Sequence, residues 1–365
     1  MATVTKSIGA TGRDYSTLTA WEADLDNDTP YDAGDDAVGE CYDDADFDMQ
    51  NDFTLDGGAT LGLASVKLTV AEGERHDGTA GTGVRIYTST TTAYRFVPNP
   101  INTTKYSLII EWLELDGSDE GSGSQLITGN SQSTSTRVTL LRNCILHNVE
   151  TRWLNSTSRE IRCQNNIFYS CGINKNSYQT IGIYLRNHYS GGGFYNNTMH
   201  YIRSGSTNAS AKLQTFYSSV NFTYTRIINN LATGFDLPNT SSTNKYGFYS
   251  GASKTPFDNT DRYKNNADET ESAITYMLDG TVGSSACITG VTPANIYNST
   301  TYGSEDLRLK DNTEILGSGS DQGTSNNLSI DIEGYDRDDA SAWDIGADQF
   351  VADTTVGASF AMFVD

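Results

Sequence analysis

The chain has 365 residues, a net charge of −22, and 34 glycines against 6 prolines and 5 methionines. That length supports a large buried core, and a composition rich in Gly, Ser, Thr, Asn and Tyr suits a turn-rich β protein better than a helical one. No apolar run reaches the ~18 residues of a membrane span, no basic and apolar leader pattern opens the chain, and acidic ends argue against nucleic acid as a partner.

The charge is uneven: residues 1–120 carry −16, residues 121–257 carry +9 and residues 258–365 carry −15. The five cysteines (Cys41, Cys144, Cys163, Cys171 and Cys287) are odd in number and lack any C-x-x-C spacing. They are expected as buried free thiols in a chain made in a reducing cytoplasm.

In chain order, "DYSTLTAWEADL" is the one helix candidate. Asp14 or Ser16 can cap it, and Leu18, Trp21 and Leu25 share a face. Residues 24–52 then hold twelve carboxylates and no Lys or Arg. Asp24, Asp26 and Asp28 have the 1-3-5 spacing of a calcium loop. Thr29 stands where an EF-hand has Gly, Asp35 where it has Glu, and Pro30 interrupts the pattern. Asp44, Asp46 and Asp48 repeat the spacing and would share one face of a strand. Two readings are open: calcium at Asp24, Asp26 and Asp28, or a solvated acidic face that blocks edge pairing. No other cofactor is expected.

"GERHDG" (Glu74, Arg75, His76, Asp77) reads as a turn with charged flanks and not as a nucleophile–base set. Short β-branched and aromatic runs follow, among them "SVKLTVA", "YSLIIEWLEL", "RVTLLRNCILHNV" and "QTIGIYLRN", several with period two. The middle then repeats. Asn143, Asn165, Asn196, Asn229 and Asn265 each open an Asn-Asn or Asn-Cys pair, at intervals of 22, 31, 33 and 36 residues. Such a period is one turn of a β-solenoid, with a ladder of asparagines hydrogen-bonded coil to coil at a tight corner. His147, His188 and His200 lack zinc-binding spacing. The many tyrosines of the middle, such as Tyr169, Tyr184, Tyr217 and Tyr224, are expected to stack inside the coils, with stacking of exposed rings on sugars as the alternative.

Near the C-terminus, "EDLRLKDNTEILGSGSD" precedes "DIEGYDRDDASAWDIGADQF". These segments resemble the closing coil of the right-handed parallel β-helices of the pectin-lyase-like class. Leu307, Leu309, Ile315 and Gly317 match its first element. Asp331, Ile332, Gly334 and Arg337 match the second, and Trp343 to Ala347 the third. Asn312-Thr313 replaces the usual Ser-Pro, and Gln349 the usual acid. The chain is also similar to uncharacterised β-helix proteins of marine bacteriophages. The resemblance implies an all-β, single-stranded parallel β-helix over residues 1–350. Residues 14–25 would form a helical N-cap, and residues 303–350 closing coils that cover the far end. Arg337 and Asp344 are expected to be structural, as a pair.

Enzymes of this class place paired acids on a central face. Between residues 121 and 257 the chain has only Glu150, Glu160 and Asp236, and the polygalacturonase-type and pectate-lyase-type motifs are absent. Glu150 and Glu160 are the first catalytic candidates if the protein is an enzyme. In the tail 351–365, Phe360, Met362, Phe363 and Val364 suit a docking strand. The leading expectation is therefore a non-enzymatic bacteriophage virion protein, decorating a capsid or forming part of a tail fibre. Its partners would be other virion proteins or copies of itself. The alternatives are a polysaccharide depolymerase, and a secreted or surface module that binds host glycans.

Overall fold

In a computed structural model, the described residues are 2–89, 96–98, 107–117, 125–129, 139–156, 161–172, 179–185, 192–208, 210–219, 226–236, 244–250, 263–270, 286–311, 314–323, 328–340 and 342–352. They form a parallel β-helix with three sheets, visited in turn by each coil. Sheet I has nine strands, from Thr3–Ile8 to Tyr263–Lys264. Sheet II also has nine, from Phe47–Asp48 to Ile288–Thr289, and sheet III has seven, from Phe53–Leu55 to Lys245–Ser250.

Strand pairing stays in register from coil to coil, so like positions stack in columns. Leu68, Ile110, Leu141, Cys163, Phe194, Ile227 and Tyr263 form one inward column of sheet I. Leu115, Leu146, Phe168, Met199 and Ala232 form its counterpart in sheet II. All are buried. Alternation along each strand produces these columns, because period-two side chains leave one apolar face inward. Fully burying each large side chain contributes roughly 1.5–3 kcal/mol.

The corner between sheets I and II carries the asparagines, in two columns. Asn143, Asn165, Asn196, Asn229 and Asn265 all adopt left-handed backbone, φ 51–58°, which turns the chain sharply and suits Asn. The next residue of each coil points inward. Asn166, Asn197 and Asn230 each donate from Nδ2 to the Oδ1 of the following member, at 2.9–3.0 Å, and the column ends at Asn266. Each Oδ1 of Asn197, Asn230 and Asn266 also accepts the backbone N–H one coil earlier. The expected ladder is therefore double: the column that bends the chain also bonds coil to coil, with Asn196 donating to Asn165 at 3.0 Å and Asn229 to Asn196 at 2.9 Å, and the inner column adds a second set of bonds.

The helix is shorter than expected, Leu18–Ala23, and Thr17 caps it by accepting the Ala20 N–H at 3.1 Å. Asp14 does not cap it because its carboxylate is taken by the N–H and hydroxyl of Ser7. Leu18, Trp21 and Leu25 do enter the core. Trp21 passes so close to Gly39 that a Cβ there would lie 2.6 Å from the indole, so Gly is needed at that strand position. No helix among the described residues is long and apolar enough to cross a membrane.

The C-terminal segment departs from the expected closing coils. It runs back along the I–II corner as a strap, from late coils to early ones. Asn265 donates to the Ser318 carbonyl at 2.7 Å and Asn229 to Ser320 at 2.8 Å. Asn165 donates to Leu328 and Ile330, and Asn143 to Ile330 and Asp331. On the sheet I side, Leu328 and Trp343 pack on Tyr195 and Ile228. On the sheet II side, Leu307, Ile332 and Ile345 pack with Ile145, Ile167 and Leu231. Arg337, fully buried, donates to the backbone carbonyls of Asp344 and Gly346 at 3.3 and 2.8 Å. It thus meets Asp344 through the main chain. The Asp344 carboxylate instead accepts the N–H groups of Gly317 and Phe350 and the Gln349 amide.

Candidate functional site

Outward positions of sheet II gather a buried cluster of titratable groups. In Glu114–Asp116, Leu115 faces the core, so Glu114 and Asp116 face out. One coil later His147 lies beside Asp116, and Tyr169 follows. The His147 ring stacks on Tyr169 with centroids 4.8 Å apart and 1° between planes. Its Nε2 lies 2.8 Å from Glu114 Oε1, and its Nδ1 3.6 Å from Asp116 Oδ1. Arg85, from the preceding coil, donates from Nε to Asp116 at 3.0 Å and from Nη1 to Asp46 at 3.3 Å. Asn148 Nδ2 donates to Asp116 at 3.1 Å, and the Gly81 N–H to Glu114 at 2.5 Å.

Glu114, Asp116 and His147 are only 2%, 3% and 4% exposed. Burial opposes charging His147, but the Glu114 hydrogen bond and the Asp116 and Glu114 charges outweigh it and raise its pKa above the ordinary 6.5. Two carboxylates, the His147 ring and the Arg85 guanidinium thus form one buried network. Their oxygens and nitrogen are close enough for a metal ion, yet the Arg85 guanidinium already faces both carboxylates.

The other histidines are internal hydrogen-bonding groups. His76 donates from Nε2 to the Asn143 carbonyl at 2.9 Å, and burial lowers its pKa to about 4. Burial also lowers His200 to about 4, with Nδ1 2.9 Å from the Thr233 hydroxyl. On sheet I, Glu111 is held by Arg142 Nε at 2.6 Å, the Thr69 hydroxyl at 2.9 Å and Lys67 at 3.3 Å. Burial raises its pKa, but the charges of Arg142 and Lys67 prevail and lower it.

Of the acids singled out in the sequence, Asp24, Asp26, Asp44 and Asp48 of the N-terminal stretch each hold their own partners. Glu150 is half-buried at the turn between sheets II and III, while Glu160 lies outside the described residues, as do Phe360, Met362, Phe363, Val364, His188 and Tyr224. Asp24 accepts the Tyr15 hydroxyl and the Asn27 amide. Asp26 Oδ1 accepts the N–H groups of Gly58 and Thr60, each at 2.9 Å. These oxygens cap separate turns, so the 1-3-5 spacing does not close into one loop. Asp44 and Asp48 likewise bind N–H groups, of Ala10 and Ser89. Among the described residues, acids that do converge are Glu114 with Asp116, and Asp331 with Glu333 and Asp348. Alternation in "ELD" was the available sign of the first set. The second joins distant stretches of the strap.

On sheet III, Tyr184, Tyr217 and Tyr249 form an outward stack with centroids 5.3 and 5.8 Å apart and planes within 19°. Arg152 covers the free face of Tyr184 at 4.8 Å. The ring faces meet one another and a guanidinium, leaving edges toward solvent, a poor platform for a sugar.

No protein-family model matches the chain, and no curated protein matches it in sequence.

Proposed function

We propose that the chain is a non-enzymatic structural protein of a bacteriophage particle, decorating a capsid or forming part of a tail fibre. The observation that carries this reading is the strap. It occupies the I–II corner and the outer face of sheet II with the protein's own chain, where an enzyme of this architecture would open a groove. The nearest acids are neutralised internally by Arg85, His147 and Arg142. Surface is spent on stiffness: columns of asparagine tie the coils, and the strap binds them from outside. All five cysteines are free and four are buried, which suits folding in a reducing host cytoplasm. Attachment to other virion proteins, or to copies of the chain, is assigned to Phe360, Met362, Phe363 and Val364.

Particles purified from lysed host cells and imaged by cryo-electron microscopy are expected to carry the chain at fixed positions on the capsid or tail. Removing residues 353–365 is expected to leave a folded protein that no longer joins the particle. Absence from particles would overturn the reading. So would release of reducing ends or unsaturated products from an anionic polysaccharide, if Glu150→Gln reduced it.

A further inference from the structure

The strap and the hairpin before it enclose a second acidic cluster. The hairpin pairs Tyr297–Ser299 with Asp306–Leu309. Beside it Asp331, Glu333 and Asp348 each bring a carboxylate oxygen within 4.8 Å of the others. Calcium binds oxygen at about 2.3–2.6 Å, so oxygens across one ion stand up to roughly 4.8 Å apart. The three spacings therefore admit a single ion touching all three residues.

The ordinary hydrogen-bonding needs of these groups leave a gap. Asp331 accepts the N–H groups of Glu333 and Tyr335 on Oδ1 and of Gln349 on Oδ2, which leaves one of about four lone-pair sites. Asp348 accepts the Leu309 N–H on Oδ2 at 2.6 Å. Its Oδ1 has no hydrogen-bond partner, although the residue is only 2% exposed. A buried carboxylate oxygen without a donor is costly, so it calls for a ligand. The two nearby cations leave that oxygen without a donor. Arg308 forks onto Asp306 at 2.8 and 2.7 Å and also pairs with Glu333 at 3.4 Å. Arg337 donates to main-chain carbonyls, and its Nε has no partner.

Glu333 and Asp348 line an open pocket of about 750 Å³, together with Asn298, Arg308 and Tyr335. That opening supplies an entry path and room for water ligands. We propose that Asp331, Glu333 and Asp348 bind a divalent cation, and that their all-oxygen, carboxylate-rich set selects calcium. Zinc prefers nitrogen and sulfur, and magnesium demands a near-ideal octahedron and keeps several waters, whereas calcium accepts an irregular all-oxygen set. The ion would pin the strap to the hairpin where the strap reaches Asn143.

The test is calorimetric titration of the EDTA-stripped full chain with calcium chloride, and in parallel with magnesium chloride. Calcium is expected to bind at one site at least tenfold more tightly than magnesium. Glu333→Gln, at the pocket wall, is expected to weaken calcium by roughly tenfold or more, and Asp348→Asn likewise. Asp26→Asn, in the acidic N-terminal stretch, is expected to bind as the parent does. No binding by the parent chain would overturn the proposal. So would a preference for magnesium, full-strength binding by Glu333→Gln, or loss of binding in Asp26→Asn.

Discussion

At the scale of the residue, the amide of asparagine does two jobs that no other side chain combines here. At positions 143, 165, 196, 229 and 265 it tolerates left-handed backbone and presents its amide to the strap. One residue on, it donates and accepts at once, so a buried polar column is satisfied along its length. Asn197 shows the stakes. Its Oδ1 accepts the Asn166 N–H and amide, and its Nδ2 donates to the Cys163 carbonyl and to Asn230. Asn197→Ala strands groups on both neighbouring coils. It is expected to cost about 3 kcal/mol or more, read as a lowered urea midpoint. Exposed Asp28→Ala is expected to change that midpoint little.

At the scale of the element, the strap decides whether the coils are sealed. Trp343 and Leu328 cover Tyr195 and Ile228. Trp343→Ala is expected to destabilise the fold by roughly 3–5 kcal/mol. Limited proteolysis should then cut within residues 318–350 before it cuts the coils, whereas uniform cleavage would argue against a separable strap. The middle coils were legible in the sequence because five successive corners open on asparagine, four of them as an Asn-Asn pair; the coil before them turns at Trp112 and left no such mark. The strap was not, because its partners lie up to 188 residues away, as from Asn143 to Asp331, and contacts of that span leave no local period. The matches to closing coils located these residues as structurally special but not their path. The helix was legible from Trp21 and Leu18, while its cap was misplaced because Ser7 draws Asp14 away. Glu114, Asp116 and His147 were hidden for a related reason. They meet only through coil register, and none sits in a motif.

At the scale of the whole molecule, three histidines on separate coils set opposing pH limits. His147 has a raised pKa in the fold, so its contribution is complete below the unfolded value near 6.5 and is lost as pH rises through the folded value. His76 and His200 are lowered to about 4. Their contribution is present above 6.5 and lost as pH falls toward 4, each by up to roughly 3 kcal/mol. Urea midpoints measured across pH are therefore expected to fall on both sides of about 6.5. His147→Gln should flatten the alkaline limb and His200→Gln the acid limb. Unchanged limbs would place the titration elsewhere. The excess of acid at both ends, −16 over residues 1–120 and −15 over residues 258–365, keeps such particles apart in solution and resists edge-to-edge growth.

The direction of the strap also bears on synthesis. A ribosome completes the coils of residues 139–268 before it makes the segment that seals them. Until then Ile145, Ile167 and Leu231 lack their cover, and five corner asparagines lack their outer acceptors. A message cut short in this region yields a rod with an adhesive flank, which chaperones and proteases can recognise. Full translation is thus inspected by the fold itself: only a chain that has been read through to the strap hides its own seam.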